Sequence, residues 1–271
     1  MNKPANVKRE SGAALLRKTD PAFPAMSILG HDKLGRRLYI LAGTAFAGHT
    51  FAEDTLVPMP DAMEPGADYA VGCEGGQISV TKLVGVPDSA TFIGGFHFAP
   101  GGNAIARNGG SEEQAINPWS IWDMNFRPAC PDPRGMARIV MPSRLFWTDI
   151  YMLGVNHLKD GTSKFDVTIA DGDDPPVNPK GGTFRKLDYE TACAVMAHHG
   201  KELLGIEEFF VAAFGVKEKT AHDGNPLKTG LDALRTSKWG LMQATGNMWV
   251  WCHDGDPDVP RASIAGGSWL S

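Results

Sequence analysis

The sequence predicts an α+β protein in which the strands and the helices are segregated along the chain. Short strand-like segments separated by turn residues run from Arg37 to about Pro100, without helical periodicity. Amphipathic helices are predicted only after residue 188. The 271 residues include 32 Gly and 19 Pro, which is typical of a turn-rich protein. Because strands and helices do not alternate, the pattern favours α+β over α/β.

The charge and the N-terminal composition exclude two classes of partner. The net charge is -5, the pI is near 5.9, and no run of Lys or Arg exceeds two residues, so we expect no nucleic-acid binding. Residues 1–29 are predicted to be a flexible N-terminal segment. Its apolar stretch from Ala13 to Leu16 is too short for a signal-peptide core or a membrane span. We therefore expect neither a signal peptide nor membrane insertion.

Three units are predicted after the N-terminal segment. Residues 30–100 should form a small all-β domain, with RRLYILAG, DYAVGC, GQISVTKLVGV and TFIGGFHFA as its strand candidates. Residues 101–118 are polar and rich in Gly, which predicts a linker. Residues 119–271 should form the second domain, which contains the helices.

Two helices and two strand regions are predicted in the second domain. In the first helix, over 188–200, apolar residues recur at helical spacing: Tyr189, Ala192, Cys193 and Met196. Asp188 can cap its start, and Gly200 can end it. The second helix, over 206–214, should place four residues on one buried face and stop at Gly215: Ile206, Phe209, Phe210 and Ala213. Strands are expected within 239–251 and 263–269, on either side of an acidic turn.

The segment GNMWVW at Gly246–Trp251, followed by Arg261 and by GGSW at Gly266–Trp269, resembles a signature of the formylglycine-generating-enzyme branch of C-type lectin folds, which includes sulfatase-modifying factors. GKELLGIEEFFVAAFG at Gly200–Gly215 is similar to a helix that precedes the signature in that family. The resemblance implies a C-type lectin-like domain over 119–271. It also implies a set of structural motif residues: Gly246, Asn247, Trp249, Trp251, Arg261, Gly266 and Gly267.

A second resemblance extends over nearly the whole chain. Segments such as IGGFHFAPGGNA, WSIWDMNFRPACPDPRGM, FWTDIYMLG and GTSKFDVTIADG resemble variable proteins of diversity-generating retroelements. Many such proteins are phage tail-tip receptor-binding proteins, in which an N-terminal β domain precedes a lectin-like domain. The region after GGSW is diversified in that family to change the ligand. The resemblance therefore implies a binding protein without catalysis.

Little sequence follows GGSW, so we expect the lectin-like domain to be truncated at its C-terminus. The ligand-binding residues implied by the resemblance, together with the acidic turn, are Ser268, Trp269, Leu270, Ser271, Asp254 and Asp256. The expected partner is a host-surface or other macromolecular ligand, and the resemblance implies a homotrimer. The expected location is the virion, in the phage tail, or the cytoplasm before assembly.

The side chains that could support chemistry favour ordinary structural roles. The four cysteines lack CxxC spacing and are expected to be buried thiols: Cys73, Cys130, Cys193 and Cys252. Adjacent His198 and His199 have poor geometry for chelation, so no metal site is expected there. Acidic turns at 171–174 and 254–258 offer oxygens to calcium, but neither matches an EF-hand loop. Val250 also replaces the family's calcium-holding Glu, so we expect no cofactor, with calcium left open.

Two alternative functions remain at this point. A formylglycine-generating-enzyme-like oxidase would need a cysteine pair beyond GGSW. A structural phage tail adaptor would use the lectin-like domain only as a connector.

Overall fold

The protein is described by a computed structural model that covers residues 16–29, 35–87, 91–256 and 258–270. Most of the predicted N-terminal segment and Ser271 lie outside these residues. The strands are β1 (Leu16–Arg17), β2 (Met26–Ser27), β3 (Tyr39–Ile40), β4 (Ala45–Phe46), β5 (His49–Thr50), β6 (Thr55–Leu56), β7 (Ala67–Glu74), β8 (Gln77–Lys82), β9 (Phe92–Ala99), β10 (Ala115–Ile116), β11 (Trp122–Asp123), β12 (Met136–Val140), β13 (Leu145–Asp149), β14 (Val250–His253) and β15 (Ala262–Ala265). The α-helices are α1 (His157–Asp160), α2 (Tyr189–Ala197) and α3 (Ile206–Ala212), with 3₁₀ turns at Pro118–Ser120 and Ala233–Arg235.

An antiparallel sheet dominates the first half of the chain. Its strand order is β10-β9-β7-β8, and β11 also pairs with β9. The strands predicted in 68–73, 76–86 and 91–99 are confirmed as β7, β8 and β9. Two smaller sheets, β1-β4-β5 and β2-β3-β6, pack beside it around one hydrophobic cluster that runs from Leu16 to Ile121.

The glycines of the IGGF segment allow close packing of three backbones. A Cβ on Gly94 would lie 2.1 Å from the Trp122 carbonyl oxygen, and one on Gly95 would lie 2.3 Å from that of Tyr69. Only glycine fits where β9 is flanked this closely by β7 and β11.

A second hydrophobic cluster fills the other half of the protein. It extends from Ala99 to Ala265 and is built from the β12-β13 hairpin, α3, the β14-β15 hairpin and Trp239. Helix α3 packs against both β14 and β15. The fold is thus mostly sheet with few helices, in agreement with the α+β prediction.

Both predicted helices are present, and their capping signals act as expected. The Asp188 carboxylate accepts a hydrogen bond from the Thr191 amide at 3.0 Å, and Gly200 adopts a left-handed φ of 67°. The buried residues of α2 are Ala192 and Val195, so its buried stripe is narrower than predicted. His198 lies just beyond the helix as its C-cap, not within the last turn.

The predicted buried face of α3 is wrong at one position. Phe209 and Ala213 are buried, whereas the Phe210 side chain is 65% exposed. Successive helical residues point about 100° apart, so when Phe209 faces the β14-β15 hairpin, Phe210 turns toward solvent. Glu208 takes the neighbouring buried position, where its carboxylate accepts a hydrogen bond from the Gly205 amide at 2.6 Å.

Residues 101–118 make contacts with both hydrophobic clusters. Gly102 pairs with Ser111, and β10 joins the first sheet. The Ala104 amide donates to the Ser237 carbonyl at 3.1 Å. Residues 105–108 and 111–114 between these contacts are exposed. The boundary predicted here stays a prediction. Within the described part of the chain, no helix is long and apolar enough to cross a membrane.

Candidate ligand-binding surface

The two halves of the GNMWVW and GGSW motif are joined through backbone hydrogen bonds. The Gly246 amide donates to the Gly266 carbonyl at 2.8 Å, and the Trp269 amide donates to the Asn247 carbonyl at 2.9 Å. Asn247 and Ser268 form a parallel bridge. The segment that leads to Leu270 is therefore fixed to the core by its backbone, independently of its side chains.

Glycine is required at the junction for a specific reason. Gly246 has a φ of 65°, and a Cβ there would lie 2.4 Å from the Thr220 carbonyl oxygen. Gly266 and Gly267 also have positive φ values, of 89° and 76°. Side chains at these positions would strain the backbone.

Asn247 lies fully buried beneath this junction. Its Nδ2 donates to the Thr245 carbonyl at 3.0 Å and lies 3.5 Å from Asp232 Oδ2. Asp232 also forms a buried ion pair with Arg235, and Arg235 Nη1 lies 2.9 Å from Asp232 Oδ2. Buried charges are tolerated when they are paired, as Asp232 and Arg235 are. Together with Asn247, this pair forms a polar network beneath the motif.

Neither of the two motif tryptophans is fully buried. Trp251 is half-buried, and its Nε1 donates to the Leu187 carbonyl at 3.1 Å. Trp249 is 55% exposed. Trp249 precedes β14. Among the seven tryptophans, only Trp122 and Trp239 are buried.

The strands β14 and β15 are shorter than the regions 239–251 and 263–269 in which strands were predicted. They pair from Val250↔Ala265 to His253↔Ala262. The acidic turn between them is closed by its own carboxylates. Asp254 Oδ1 accepts hydrogen bonds from the amides of Asp256 and Arg261, both at 3.1 Å. These bonds lower the pKa of Asp254. Within the described residues, no group of three or more His, Cys, Asp or Glu side chains is arranged to hold a metal ion.

The residues after the motif are only partly covered. Ser268 Oγ accepts a hydrogen bond from the Leu270 amide at 3.1 Å, and the Trp269 side chain is half-buried. Leu270 is 76% exposed. Together with the exposed acidic turn and Trp249, these residues belong to the β14-β15 end of the domain. Ser271 lies outside the described residues.

A groove of about 980 Å³ lies between β13, α2 and the residues leading into β14. Its walls are mainly apolar and aromatic, and they include Phe146, Trp147, Leu187, Met196, Leu204, Trp249 and Trp251. Sequence reasoning did not assign this groove. The aromatic segment FWTDIYMLG, noted only as a family resemblance, contributes much of one wall.

The groove is bordered by two strand edges. The Ile150 amide donates to the Gly135 carbonyl at 2.8 Å. Residues that bond to the partner strand alternate with residues that do not, so the amide and carbonyl of Trp147 point away from β12. On the other side, the Asp254 amide donates to the Arg261 carbonyl at 3.0 Å, which likewise turns those of Trp251 away from β15. Apolar walls and strand edges together suit an extended polypeptide segment.

Three of the six charged side chains in the described lining of the groove, Asp149, Lys201 and Glu208, form ion pairs within the protein. Lys201 Nζ lies 2.7 Å from Asp149 Oδ1, and Arg144 Nη2 lies 2.6 Å from Glu208 Oε1. Arg127 differs, because its Nη1 is buried and has no hydrogen-bond partner among the described residues. Arg127 Nη1 is therefore the single buried side-chain donor without a partner in the described lining of the groove.

The cysteines are free thiols, three of them buried and Cys193 half-buried. Burial and the nearby Glu208 carboxylate raise the pKa of Cys252 to about 11, and burial also raises the pKa of Cys130. Both thiols are therefore protonated near neutral pH, which confirms the expectation of inert buried groups for these two.

Comparison with known proteins shows the family. A family model described as the Mtd second domain matches residues 31–123. The tail fiber receptor-binding protein of Bordetella phage BPP-1 is 39% identical over 258 residues, covering 81% of this chain and 67% of that protein.

Solved structures give the same result across the length of the chain. The Major Tropism Determinant I1 variant superimposes with a TM-score of 0.82 at 35% identity, and the M1 variant with 0.81 at 34%. Each comparison covers 94% of this chain and 77% of the solved one. These relatives have a C-type lectin-like fold, as the motif resemblance implied. The chain therefore belongs to the Mtd family of retroelement-diversified variable proteins.

Proposed function

We propose that the chain is a phage tail receptor-binding protein that recognises a macromolecule on the host cell surface without catalysing a reaction. The observation that carries this proposal is the 39% identity to a tail fiber receptor-binding protein over 67% of that protein's length. The proposed location is the virion, as part of the tail.

The recognition surface is proposed to lie at the β14-β15 end of the domain. It comprises the acidic turn with Asp254 and Asp256, together with 268–271. Two features support this choice. The backbone is held by the Gly246–Gly266 and Asn247–Trp269 hydrogen bonds, and Leu270 faces solvent. Side chains on such a backbone can be exchanged at little cost to stability, because loops on a rigid scaffold tolerate variation.

Two observations favour a binding function over the thiol-oxidising alternative. That oxidase would need a cysteine pair beyond GGSW, whereas Cys130 and Cys252 precede this motif and burial raises the pKa of both thiols. The printed names of the relatives also describe receptor binding and tropism.

We further propose two features of organisation. Residues 30–100 form a separate small β domain; support comes from a distinct hydrophobic cluster that draws most of its members from this range, although it extends from Leu16 to Ile121. The chain assembles as a homotrimer, since linking weak sites raises avidity by about 10² to 10⁴. The exposed aromatic rings of Phe210 and Phe214 are available for subunit contacts. Light scattering should report three subunits, and a monomer at micromolar concentration would remove this part of the proposal.

Cell binding tests the proposed function. Fluorescently labelled chain is incubated with Bordetella cells and a panel of other bacteria, and bound fluorescence is measured by flow cytometry. We expect saturable binding to at least one strain, competed by excess unlabelled chain and absent after thermal unfolding. Binding that is unsaturable, or equal for the folded and the unfolded chain, would contradict the proposal.

A further inference from the structure

We propose that Arg138, with Trp119 and Phe126, forms a binding site for an oxyanion group, such as phosphate or carboxylate, carried by a larger ligand. The site does not depend on the receptor-binding proposal. It is built on β12, away in sequence from the β14-β15 surface.

The Arg138 guanidinium is held by two aromatic rings. Its Cζ lies 5.5 Å from the centroid of Trp119 and 5.0 Å from that of Phe126. Trp119 lies on the 3₁₀ turn 118–120, which packs against β12. Cation–π contacts with two rings hold the guanidinium in position before any ligand arrives.

This guanidinium has no counter-ion. Arg138 makes no hydrogen bond or ion pair with any described residue, and its Nε is buried without a partner. Burial alone lowers the pKa of Arg138, without a carboxylate to oppose it. A buried donor left without a partner is rare in proteins and commonly marks an unseen water or ion.

The surroundings of Phe126 carry excess positive charge. Lys18 Nζ lies 5.1 Å from the centroid of the same ring, but it is paired with the buried Asp123 carboxylate at 2.7 Å. Asp123 also accepts a hydrogen bond from the Ala25 amide, so it is fully engaged. Arg127, next in the chain to Phe126, adds the second unpartnered buried guanidinium nitrogen. Among the described residues, the Arg138 guanidinium beside Phe126 therefore has no matching carboxylate.

An oxyanion is the ligand that this arrangement fits best. A guanidinium offers a planar fork of N–H donors that matches two oxygens of a carboxylate or a phosphate. Both aromatic rings lie within cation–π distance of the guanidinium, and rings offer no acceptor for its N–H donors, so Nε remains available to an oxyanion. The ring centroids of Trp147 and Phe126 are 6.3 Å apart, and Trp147 also lines the groove. The site therefore lies beside that groove.

The test measures oxyanion binding with simple probes. Purified chain is titrated with inorganic phosphate and, separately, with acetate, at constant pH and ionic strength set with sodium chloride. Binding is followed by calorimetry and by the melting temperature. We expect saturable phosphate binding and a melting temperature that rises and then levels off. Saturable acetate binding as well would show that carboxylates are accepted, and phosphate binding alone would restrict the site to phosphates.

Three variants separate a binding site from a structural role. R138Q removes the charge and should abolish saturable binding, while R138K keeps the charge without the fork and should weaken it about tenfold or more. R144Q is the matched control, because Arg144 also stacks on an aromatic ring, Phe146, but already has Glu208 as its partner. R144Q should bind phosphate as the wild type does.

Two results would overturn the proposal. One is an adventitious ion only: a melting temperature that rises linearly with phosphate, equally in wild type and R138Q, as preferential exclusion of the salt produces. The other is a loss of stability in R138Q that is the same in chloride and phosphate, without saturable binding in the wild type.

Discussion

His97 Nε2 lies 2.8 Å from the Tyr151 hydroxyl, and this contact links the two hydrophobic clusters. His97 is on β9 and is fully buried, while its Nδ1 lies 3.0 Å from Asp68 Oδ1 on β7. Asp68 also accepts a hydrogen bond from the Gly135 amide at 3.1 Å. A continuous polar chain thus runs from the first sheet to the second half of the protein.

Replacement of Tyr151 by Phe should destabilise the protein by about 1 to 3 kcal/mol, because it leaves a buried ring nitrogen of His97 without a partner. Denaturant unfolding measures the change. Tyr189→Phe, on the outer start of α2, serves as the control and should change stability by less than about 0.5 kcal/mol. Equal effects of the two substitutions would show that the His97 contact contributes nothing specific.

Acid should destabilise the protein through His157. This side chain is buried against His199, with a ring distance of 5.6 Å, and burial lowers the pKa of His157 to about 4 from 6.5. The unfolded chain therefore binds more protons than the folded chain between these two values, so stability is retained above pH 6.5 and lost as the pH falls toward 4. From pH 7 to 4.5 the loss should be about 2 to 3 kcal/mol.

The pH dependence of unfolding in the wild type and in His157→Phe tests this account. The variant cannot titrate at this position, so its stability should fall less over the same interval. Identical slopes for the two proteins would assign the acid sensitivity to other groups, such as His199 or the Asp149–Lys201 pair.

Thiol labelling should find one reactive cysteine in the native protein. Cys193 is half-buried on α2, whereas Cys73, Cys130 and Cys252 are buried. At pH 8, Ellman's reagent should modify one thiol rapidly and all four only in denaturant. Cys193→Ser should remove the fast phase. Rapid modification of Cys252 would contradict its burial and its raised pKa.

Limited proteolysis tests the boundary proposed within 101–118. Arg107 lies in the exposed part of this segment, with a weak ion pair to Glu218 at 3.3 Å. Brief trypsin treatment should cleave after Arg107 before other sites and release two stable fragments. Arg107→Gln should delay that cut. Early cleavage elsewhere, with this segment intact, would count against the boundary.

Signals carried by a few neighbouring residues were sufficient to predict where helix α2 begins and ends. Asp188 and Gly200 bound α2 because capping and left-handed φ are properties of a few adjacent atoms. Phe210 and Trp249 show where such signals stop. Both are large apolar residues in apolar segments, yet their exposure depends on which distant element packs on which face.

The candidate site likewise has one part that could be predicted from the sequence and one part that could not. The motif glycines were predicted through the family resemblance, and in the structure they lie at a junction fixed by backbone hydrogen bonds. The groove between β13 and β14 could not be predicted, since residues 145–149 and 249–251 are brought together only by the tertiary fold. The unpartnered Arg138 was equally hidden, because the absence of a counter-ion is a property of the folded environment.

The most direct test of the central claim is cell binding by surface variants of the chain. Asp254→Ala, Trp269→Ala and Leu270→Ser change the proposed recognition surface, and Lys82→Ala on the distant strand β8 is the control. Thermal melts first establish that each variant folds. The account predicts that at least one of the three surface variants loses binding to a cell strain that the wild type recognises, by about tenfold or more as for a binding hot spot, while Lys82→Ala binds normally. Unchanged binding by all three surface variants, or a loss confined to Lys82→Ala, would contradict it.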